Sequence, residues 1–392
     1  HQNKASDIHI EPYREKVLIR FRIDGVMHDV LELPKDLSEV ILSRLKILAK
    51  MRTDEHRAAQ DGKLQFLSSG ETVDVRVSIL PVTEGENAVL RLLSEQSRKF
   101  SLTDLGLSPL DLTTVKRAID NPHGMILVTG PTGSGKTTTV YAVVKILNTR
   151  DVHIATIEDP VEYDIEGVSQ IQVNSKANLT FANGLRSIVR QDPDIIVVGE
   201  IRDEETASIA VNSAMTGHLV LSTLHANDAA TTLPRLLEMG IEPFLVASTV
   251  NAVIAQRLVR KVCDRCRVSM APTDEMKKLI NSEPELKALF KQRGYATLAK
   301  LTFYHGQGCE ICSHTGYQGR IGIFEVLEMT DEIKSLVVGR AAAGEIVKAA
   351  RAGLPRAESR GKKAMTIMLE DGLDKVLSGL TTLEEVLRVT KI

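Results

Sequence analysis

The stretch Gly130-Pro131-Thr132-Gly133-Ser134-Gly135-Lys136-Thr137 constrains the fold of this 392-residue chain more than any other. It fits G-x-x-x-x-G-K-[ST], the pattern of a phosphate-binding loop. Its flanks fit as well. The β-prone run Met125-Ile126-Leu127-Val128-Thr129 leads into it, and Val140, Val143, Val144 and Leu147 follow at helical spacing. Strand, glycine loop and helix are the arrangement the chemistry needs. The glycines let backbone N–H groups turn inward toward phosphate oxygens, and the helix N-terminus adds partial positive charge. Gly130, Pro131, Thr132, Gly133, Ser134, Gly135, Lys136, Thr137 and Thr138 are therefore expected to hold ATP. Lys136 would reach the β- and γ-phosphates, and Thr137 would ligate Mg²⁺.

A chain this long predicts two or three domains. Its net charge of −2 gives no pull toward nucleic acid, whose readers usually carry a basic stripe. No apolar run is long enough to span a bilayer. The chain opens at His1 without a Met, so it is expected to be a piece of a longer protein.

Residues 1–97 read as an α+β unit. Val17 to Ile23 and Val26 to Leu33 look like strands joined by an Asp24-Gly25 turn, and Leu37 to Met51 has helical spacing. Val73 to Ile79 alternates, with Asp74, Arg76 and Ser78 opposite the valines; Ala88 to Leu93 is a further strand bearing Arg91. A polar connector runs from Ser97 to Leu112, and a short helix leads on to the P-loop strand. Beyond the loop, Ile154 to Ile157, Ile195 to Val198 and Leu219 to Thr223 are strand candidates with helices between them. That alternation predicts an α/β domain with a parallel sheet over 98–262. Phe244 to Arg260 reads as a helix, and Glu275 to Lys300 as charged and helical. Short helices are expected from about Met329, the last opened by a capping box at Thr381-Thr382-Leu383-Glu384.

Three further boxes bear chemistry. Thr156-Ile157-Glu158-Asp159-Pro160-Val161-Glu162-Tyr163 puts acids just past a core strand, where Glu158 and Asp159 could bind Mg²⁺ or polarise water; an ordinary acidic turn would look similar. Asp192 to Asp203 places Glu200 just past an apolar strand, at the Walker B position. Gly199 stands where many P-loop enzymes have Asp. Glu200 could orient the attacking water or hold magnesium through a water. Thr216 to Asn227 flanks the next strand with His218 and His225. A lone His is usually structural, but the His225 strand is expected beside the P-loop strand, where the imidazole could sense the γ-phosphate.

Cys263-Asp-Arg-Cys266 and Cys309-Glu-Ile-Cys312 are the only cysteines. Two C-x-x-C turns can close a tetrahedral Cys₄ site, which suits structural Zn²⁺ and leaves no open position for catalysis. The long gap between the pairs holds a helical insert whose ends could meet.

Together the four nucleotide boxes, in this order, resemble the secretion ATPase superfamily that powers type II secretion and type IV pilus assembly. Gly130 to Thr137 is similar to its Walker A, Thr156 to Tyr163 to its aspartate box, Asp194 to Asp203 to its atypical Walker B, and Thr216 to His225 to its histidine box. Ser6 to Pro12 resembles the opening of its second N-terminal domain. The resemblance implies a RecA-like core with an N-terminal PAS-like domain (1–97), a tetracysteine insert (263–320) and a C-terminal helical region (321–392). It implies that Arg76 and Arg91 complete the nucleotide site, that Arg186 and Arg190 match a second arginine pair, and that Arg202 and Arg320 are weaker candidates. It further implies a cytoplasmic homohexamer, peripheral to the inner membrane, that uses ATP to make a platform protein and cytoplasmic assembly factors add pilin subunits. Type IV pilus assembly is the preferred reading and type II secretion the alternative; a nucleotide-gated scaffold or a nucleic-acid motor follows less readily. The tetracysteine element is typical of the extension and secretion members rather than the retraction motors.

Overall fold

A computed structural model of the chain describes residues 5–68, 71–93, 101–295, 298, 301–352 and 365–390. It divides into two compact units, His1–Lys99 and Phe100–Ile392. Ser97, where a domain boundary and connector were expected, and Lys300 lie outside the described residues.

Among its described residues, the first unit is one antiparallel sheet with one helix against it. Its elements are β1 (Ala5–Pro12), β2 (Lys16–Ile23), β3 (Val26–Pro34), α1 (Leu37–Leu48), β4 (Gln60–Ser68), β5 (Glu71–Val82) and β6 (Gly85–Leu93), in the strand order β3-β2-β1-β6-β5-β4. Asp24 and Gly25 turn the β2–β3 hairpin with φ of 49° and 87°. Positive φ at both central residues matches the twist of a two-residue hairpin. On β5 the valines at 73, 75 and 77 and Ile79 are buried against Leu42 of α1 and Leu90 of β6. The alternation seen in the sequence thus puts Arg76 on the other face. Helix α1 stops at Leu48, short of the expected Met51, and Lys50 takes φ of 57°.

The second unit is an α/β layer structure. It opens with α2 (Pro109–Ile119), β7 (Gly124–Thr129), α3 (Lys136–Leu147), β8 (Ile154–Glu158), β9 (Val168–Gln172), α4 (Phe181–Val189), β10 (Ile195–Val198), α5 (Glu204–Met215) and β11 (Leu219–Leu224). Then come α6 (Ala229–Glu238), α7 (Pro243–Thr249), β12 (Val250–Val262), β13 (Arg267–Met270), α8 (Asp274–Ser282), α9 (Pro284–Gln292), β14 (Phe303–Gly306) and β15 (Tyr317–Glu328). Among the described residues, α10 (Asp331–Val338), α11 (Ala343–Ala352), α12 (Met368–Leu377) and α13 (Leu383–Thr390) follow. The main sheet runs β15-β12-β7-β11-β10-β8-β9. All its neighbours are parallel except β15, which pairs antiparallel with β12. Met125 and Leu127 of β7 belong to one core and Ile126 and Val128 to the other, so this strand is covered on both faces. That explains its unbroken apolar sequence.

One expected helix is mostly a strand. Only Pro243–Thr249 of the Phe244 to Arg260 run is helical; Val250–Val262 is β12, lying between β7 and β15. Buried on both faces, β12 shows no alternation, and a continuous apolar run has no period to separate strand from helix. Strand β9 was not foreseen either. The expected 275–300 helix is two, broken where Pro284 starts α9. The last helix is capped one residue later than expected. Thr382 Oγ1 accepts from Glu385 N at 3.4 Å, but the Glu385 carboxylate turns away to Arg260, accepting from its N at 2.9 Å and its Nη2 at 2.8 Å. A pairing across 125 residues has replaced the reciprocal bond of a capping box.

Candidate active site and metal centre

Between β7 and α3 the chain makes the expected loop. Gly130, Gly133 and Gly135 all have positive φ, and α3 starts at Lys136. The Lys136 ammonium donates to the carbonyls of Gly130 at 2.7 Å and Pro131 at 3.2 Å. Burial pulls its pKa below the usual lysine value; the Glu200 carboxylate opposes this and the Arg257 guanidinium adds to it. Ser134 is buried, and its hydroxyl has no hydrogen-bond partner among the described residues. A buried hydroxyl left unpaired in a glycine-rich loop fits a loop made for an anion. Thr137 is exposed on the first turn of α3, with Thr138 half-buried beside it. A cleft of 570 Å³ adjoins the loop, lined by Gly130 to Thr132, by His225 to Asn227 and by α6.

Strand order brings the Walker B and histidine boxes to the same edge. β11 lies directly beside β7 and β10 beside β11. Thr129, at the end of β7, accepts from Ala226 N at 2.9 Å, which ties the P-loop strand to the turn after His225. Glu200 follows β10 and receives Arg202 as an ion-pair partner, while His225 Nε2 stands 3.4 Å from its other oxygen. Gly199 lies against β8: a Cβ there would stand 3.2 Å from Glu158 Cα and from Ile157 O, so a side chain at the place often held by Asp would need the β8 backbone to give by a few tenths of an ångström. His218 is at the opposite end of β11, bonded to Ser213 O at 2.9 Å.

Glu158 is differently placed. It is 3% exposed, and its carboxylate accepts from the Tyr141 hydroxyl, from Thr156 at 2.6 Å and from Gln170 at 3.2 Å. Arg186 is exposed on α4, which packs on α5, β8 and β10, and Arg190 is exposed at the helix's C-cap; Arg186 pairs with Glu205 at 2.5 Å. Arg320 is exposed on β15. In the first unit, register sets Arg76 opposite Arg91, and Arg91 opposite Asp7.

Two residues of the mis-assigned strand were missed. Gln256 is 1% exposed; its Nε2 donates to Ser134 O at 2.7 Å and its Oε1 accepts from Thr139 at 2.7 Å. Its neighbour Arg257 donates from Nη2 to Asn227 O at 3.0 Å. The signal available was polarity: Gln256 and Arg257 interrupt the apolar stretch from Ala252 to Val259, which in a covered strand calls for buried partners.

Strand β12 runs straight into the cysteines. Sγ–Sγ distances are 3.9 Å for Cys263–Cys309, 3.8 Å for Cys266–Cys312 and 3.7 Å for Cys309–Cys312, and all four sulfurs lie within 4.8 Å of one another. Four thiolates at ~2.3 Å from one ion stand about 3.8 Å apart in a tetrahedron, whereas a disulfide needs about 2.0 Å. The donor set therefore fits a single tetrahedral metal. The long gap is closed by β13 pairing antiparallel with β14, Arg267 opposite Gly306, and by the Cys263 N bond to Gly316 O at 3.0 Å. Burial pushes the Cys266 thiol up to about 12. Burial also acts on Cys312, but N–H groups of Cys309 and Gly316, at 3.2 and 3.3 Å from its sulfur, hold it down at about 6.

Known proteins resemble this chain in sequence and in fold. A family model described as Type II/IV secretion system protein matches residues 1–388. The type II secretion system protein E of Dickeya dadantii is 48% identical over 390 residues, 100% of this chain and 73% of that protein. The type IV pilus assembly ATPase PilB of Myxococcus xanthus is 45% identical over 386 residues, 98% of this chain and 65% of that one. Among solved structures, the ATPase DotB of Legionella pneumophila covers 99% of this chain and 92% of its own, at 21% identity and a TM-score of 0.67. The pilus retraction motor PilT with bound ADP covers 99% and 94%, at 24% identity and 0.63. Those two likenesses concern the fold. The sequence matches run almost end to end, through all four nucleotide boxes and both cysteine pairs, and on them the chain is a member of the type II/IV secretion system protein family.

Proposed function

We propose that the chain is a Mg²⁺-dependent ATPase, working as a homohexamer to drive assembly of type IV pilus fibres at the cytoplasmic face of the inner membrane. The observation that supports this best is the meeting of three strand ends: the P-loop with Lys136, Glu200 with its Arg202 partner, and His225 within 3.4 Å of Glu200. Lys136 would leave the loop carbonyls for the β- and γ-phosphates. Glu200 would orient the attacking water, and His225 would report on the γ-phosphate through its contact with Glu200. Mg²⁺, held through Thr137, would neutralise charge developing on the phosphates. Arg76, Arg91, Arg186 and Arg190 would add positive charge to the site when subunits or units close. The four cysteines would hold one structural Zn²⁺, and Glu158 is the second candidate for the water-orienting role. Among the described residues no helix is long and apolar enough to cross a membrane, which suits attachment through a platform protein.

Type II secretion is the second reading, favoured by the 48% identity to a protein of that name. Complementation separates the two: restored piliation supports the first, restored export the second. The test of the shared reading is Lys136→Ala, which should abolish ATP turnover because it removes the P-loop ammonium that would bridge the β- and γ-phosphates. Near-normal turnover in that variant would refute the P-loop assignment.

A further inference from the structure

We infer that Gln256 is a positioning residue of the nucleotide site, setting the peptide plane that aims the Gly135 N–H at a bound phosphate. The inference rests on the reading of Gly130 to Thr138 as the nucleotide loop.

Gln256 Nε2 donates to the Ser134 carbonyl at 2.7 Å. That carbonyl and the Gly135 N–H belong to one peptide. A trans peptide is planar, so its C=O and N–H point in opposite directions. Drawing the carbonyl toward β12 therefore turns the Gly135 N–H away from β12. Such N–H groups are what a P-loop offers to phosphate oxygens.

The amide cannot satisfy this site in its flipped orientation. Ser134 O can only accept, so Nε2 must face it. Oε1 is then left for the Thr139 hydroxyl at 2.7 Å, one turn into α3. The two bonds fix the amide between the loop and its helix, at a residue 1% exposed. Both ends of the loop rest on this residue. A Cβ on Gly135, which has φ of +88°, would stand 3.2 Å from Gln256 Nε2; a Cβ on Gly130 would stand 2.6 Å from the Gln256 carbonyl oxygen. The side chain holds one end while the backbone abuts the other.

The test is ADP binding by titration calorimetry on the full chain, beside thermal melts without nucleotide. Gln256→Met keeps the length and removes both bonds; Kd should rise about tenfold, the value of one well-placed hydrogen bond. Thr139→Val removes only the bond that orients the amide, and Kd should rise about threefold, a fraction of that bond. The double variant should bind no worse than Gln256→Met, because the two residues act as one unit. Gln256→Glu sets a carboxylate oxygen against the Ser134 carbonyl and should bind worse than Gln256→Met. A role in packing alone would lower the melting temperature and leave Kd within about twofold of wild type; that result overturns the inference and leaves the nucleotide site standing. If Gln256→Met does not fold, an unchanged Kd in folded Thr139→Val overturns it equally. A wild-type chain that binds no ADP removes the site itself, and the inference with it.

Discussion

The Tyr141 hydroxyl, on the helix that leaves the P-loop, donates to the Glu158 carboxylate at the end of β8. Burial and then the Glu158 charge hold the Tyr141 phenol well above its usual pKa, so it stays a donor throughout the working pH range. Two carboxylates thus end neighbouring strands in different employment. Glu158 is bonded into the core, whereas Glu200 meets Arg202 and His225 and acts on the Lys136 ammonium.

Glu200→Gln should therefore leave nucleotide binding within a few-fold of wild type and slow hydrolysis by about 10² or more, the usual contribution of a group that handles the attacking water. Glu158→Gln should instead lower stability by about 1–3 kcal/mol, as an acceptor shared by two buried donors and a half-buried one is weakened. Steady-state turnover and urea melts on both variants decide it. If hydrolysis stops in Glu158→Gln and survives in Glu200→Gln, the two roles must be exchanged.

The purified chain should hold about one Zn²⁺ per subunit, because four thiolates saturate one tetrahedral ion. Stability, not chemistry, should depend on it. Cys263 directly follows β12, and Cys309 and Cys312 lie just before β15, so the ion would clamp two strands of the main sheet at their paired ends. Cys266→Ser should lower the melting temperature by several degrees, on the order of 2 kcal/mol for a domain this large. Metal analysis that finds no zinc in a folded sample, or an equally stable Cys266→Ser protein, counts against the site.

What could be read beforehand followed from local chemistry. β7, β10 and β11 are short apolar runs that end in a motif, so both the strand and its ligand-facing end were legible. The cysteine pairs were legible from spacing alone. β12 was not, because a strand covered on both faces carries no period, and Gln256 was lost with it. Nor can one chain's pattern give register: that Arg76 stands opposite Arg91 needs the pairing of β5 with β6. The burial of Glu158 depends on Tyr141 and Gln170, 17 and 12 residues away in the chain.

Glu325 of β15 offers a pH-dependent test. It is 4% exposed, and burial pushes its carboxyl up to about 7, with the Ala229 N–H at 3.0 Å opposing and Asp228 adding. Between the ordinary value of 4.5 and about 7 the folded chain keeps a proton that the unfolded chain has released. Stability from this group is therefore full below 4.5, falls as pH rises through that window, and stays lost above it. Glu325→Gln keeps an acceptor for Ala229 without the charge. It should be more stable than wild type at pH 8 by about 2 kcal/mol, the gain vanishing near pH 4.5. Urea unfolding at both pH values checks this; an equal gain at both would assign the effect to packing.

Arg76 and Arg91 should act on the nucleotide held by Lys136, although they belong to the first unit and the P-loop to the second. Register places the two guanidinium-bearing residues directly opposite each other on β5 and β6. Asp7 steadies the row, accepting from Arg91 Nε at 3.0 Å with Arg22 Nε at 3.7 Å. A unit that contributes positive charge to phosphates only when closed would couple ATP occupancy to motion between units, because closure gains the arginine–phosphate interactions. Arg76→Ala should then depress ATPase activity, on the order of the 10³-fold or more that such arginines contribute, with ADP binding retained and the melting temperature nearly unchanged. Mixing Arg76→Ala with Lys136→Ala subunits tests action across a subunit boundary. Activity should partly return, since some interfaces then hold both wild-type groups; no recovery restricts the arginines to their own subunit. Full activity in the Arg76→Ala, Arg91→Ala protein would remove both from the site and leave them as charges on a solvated sheet face.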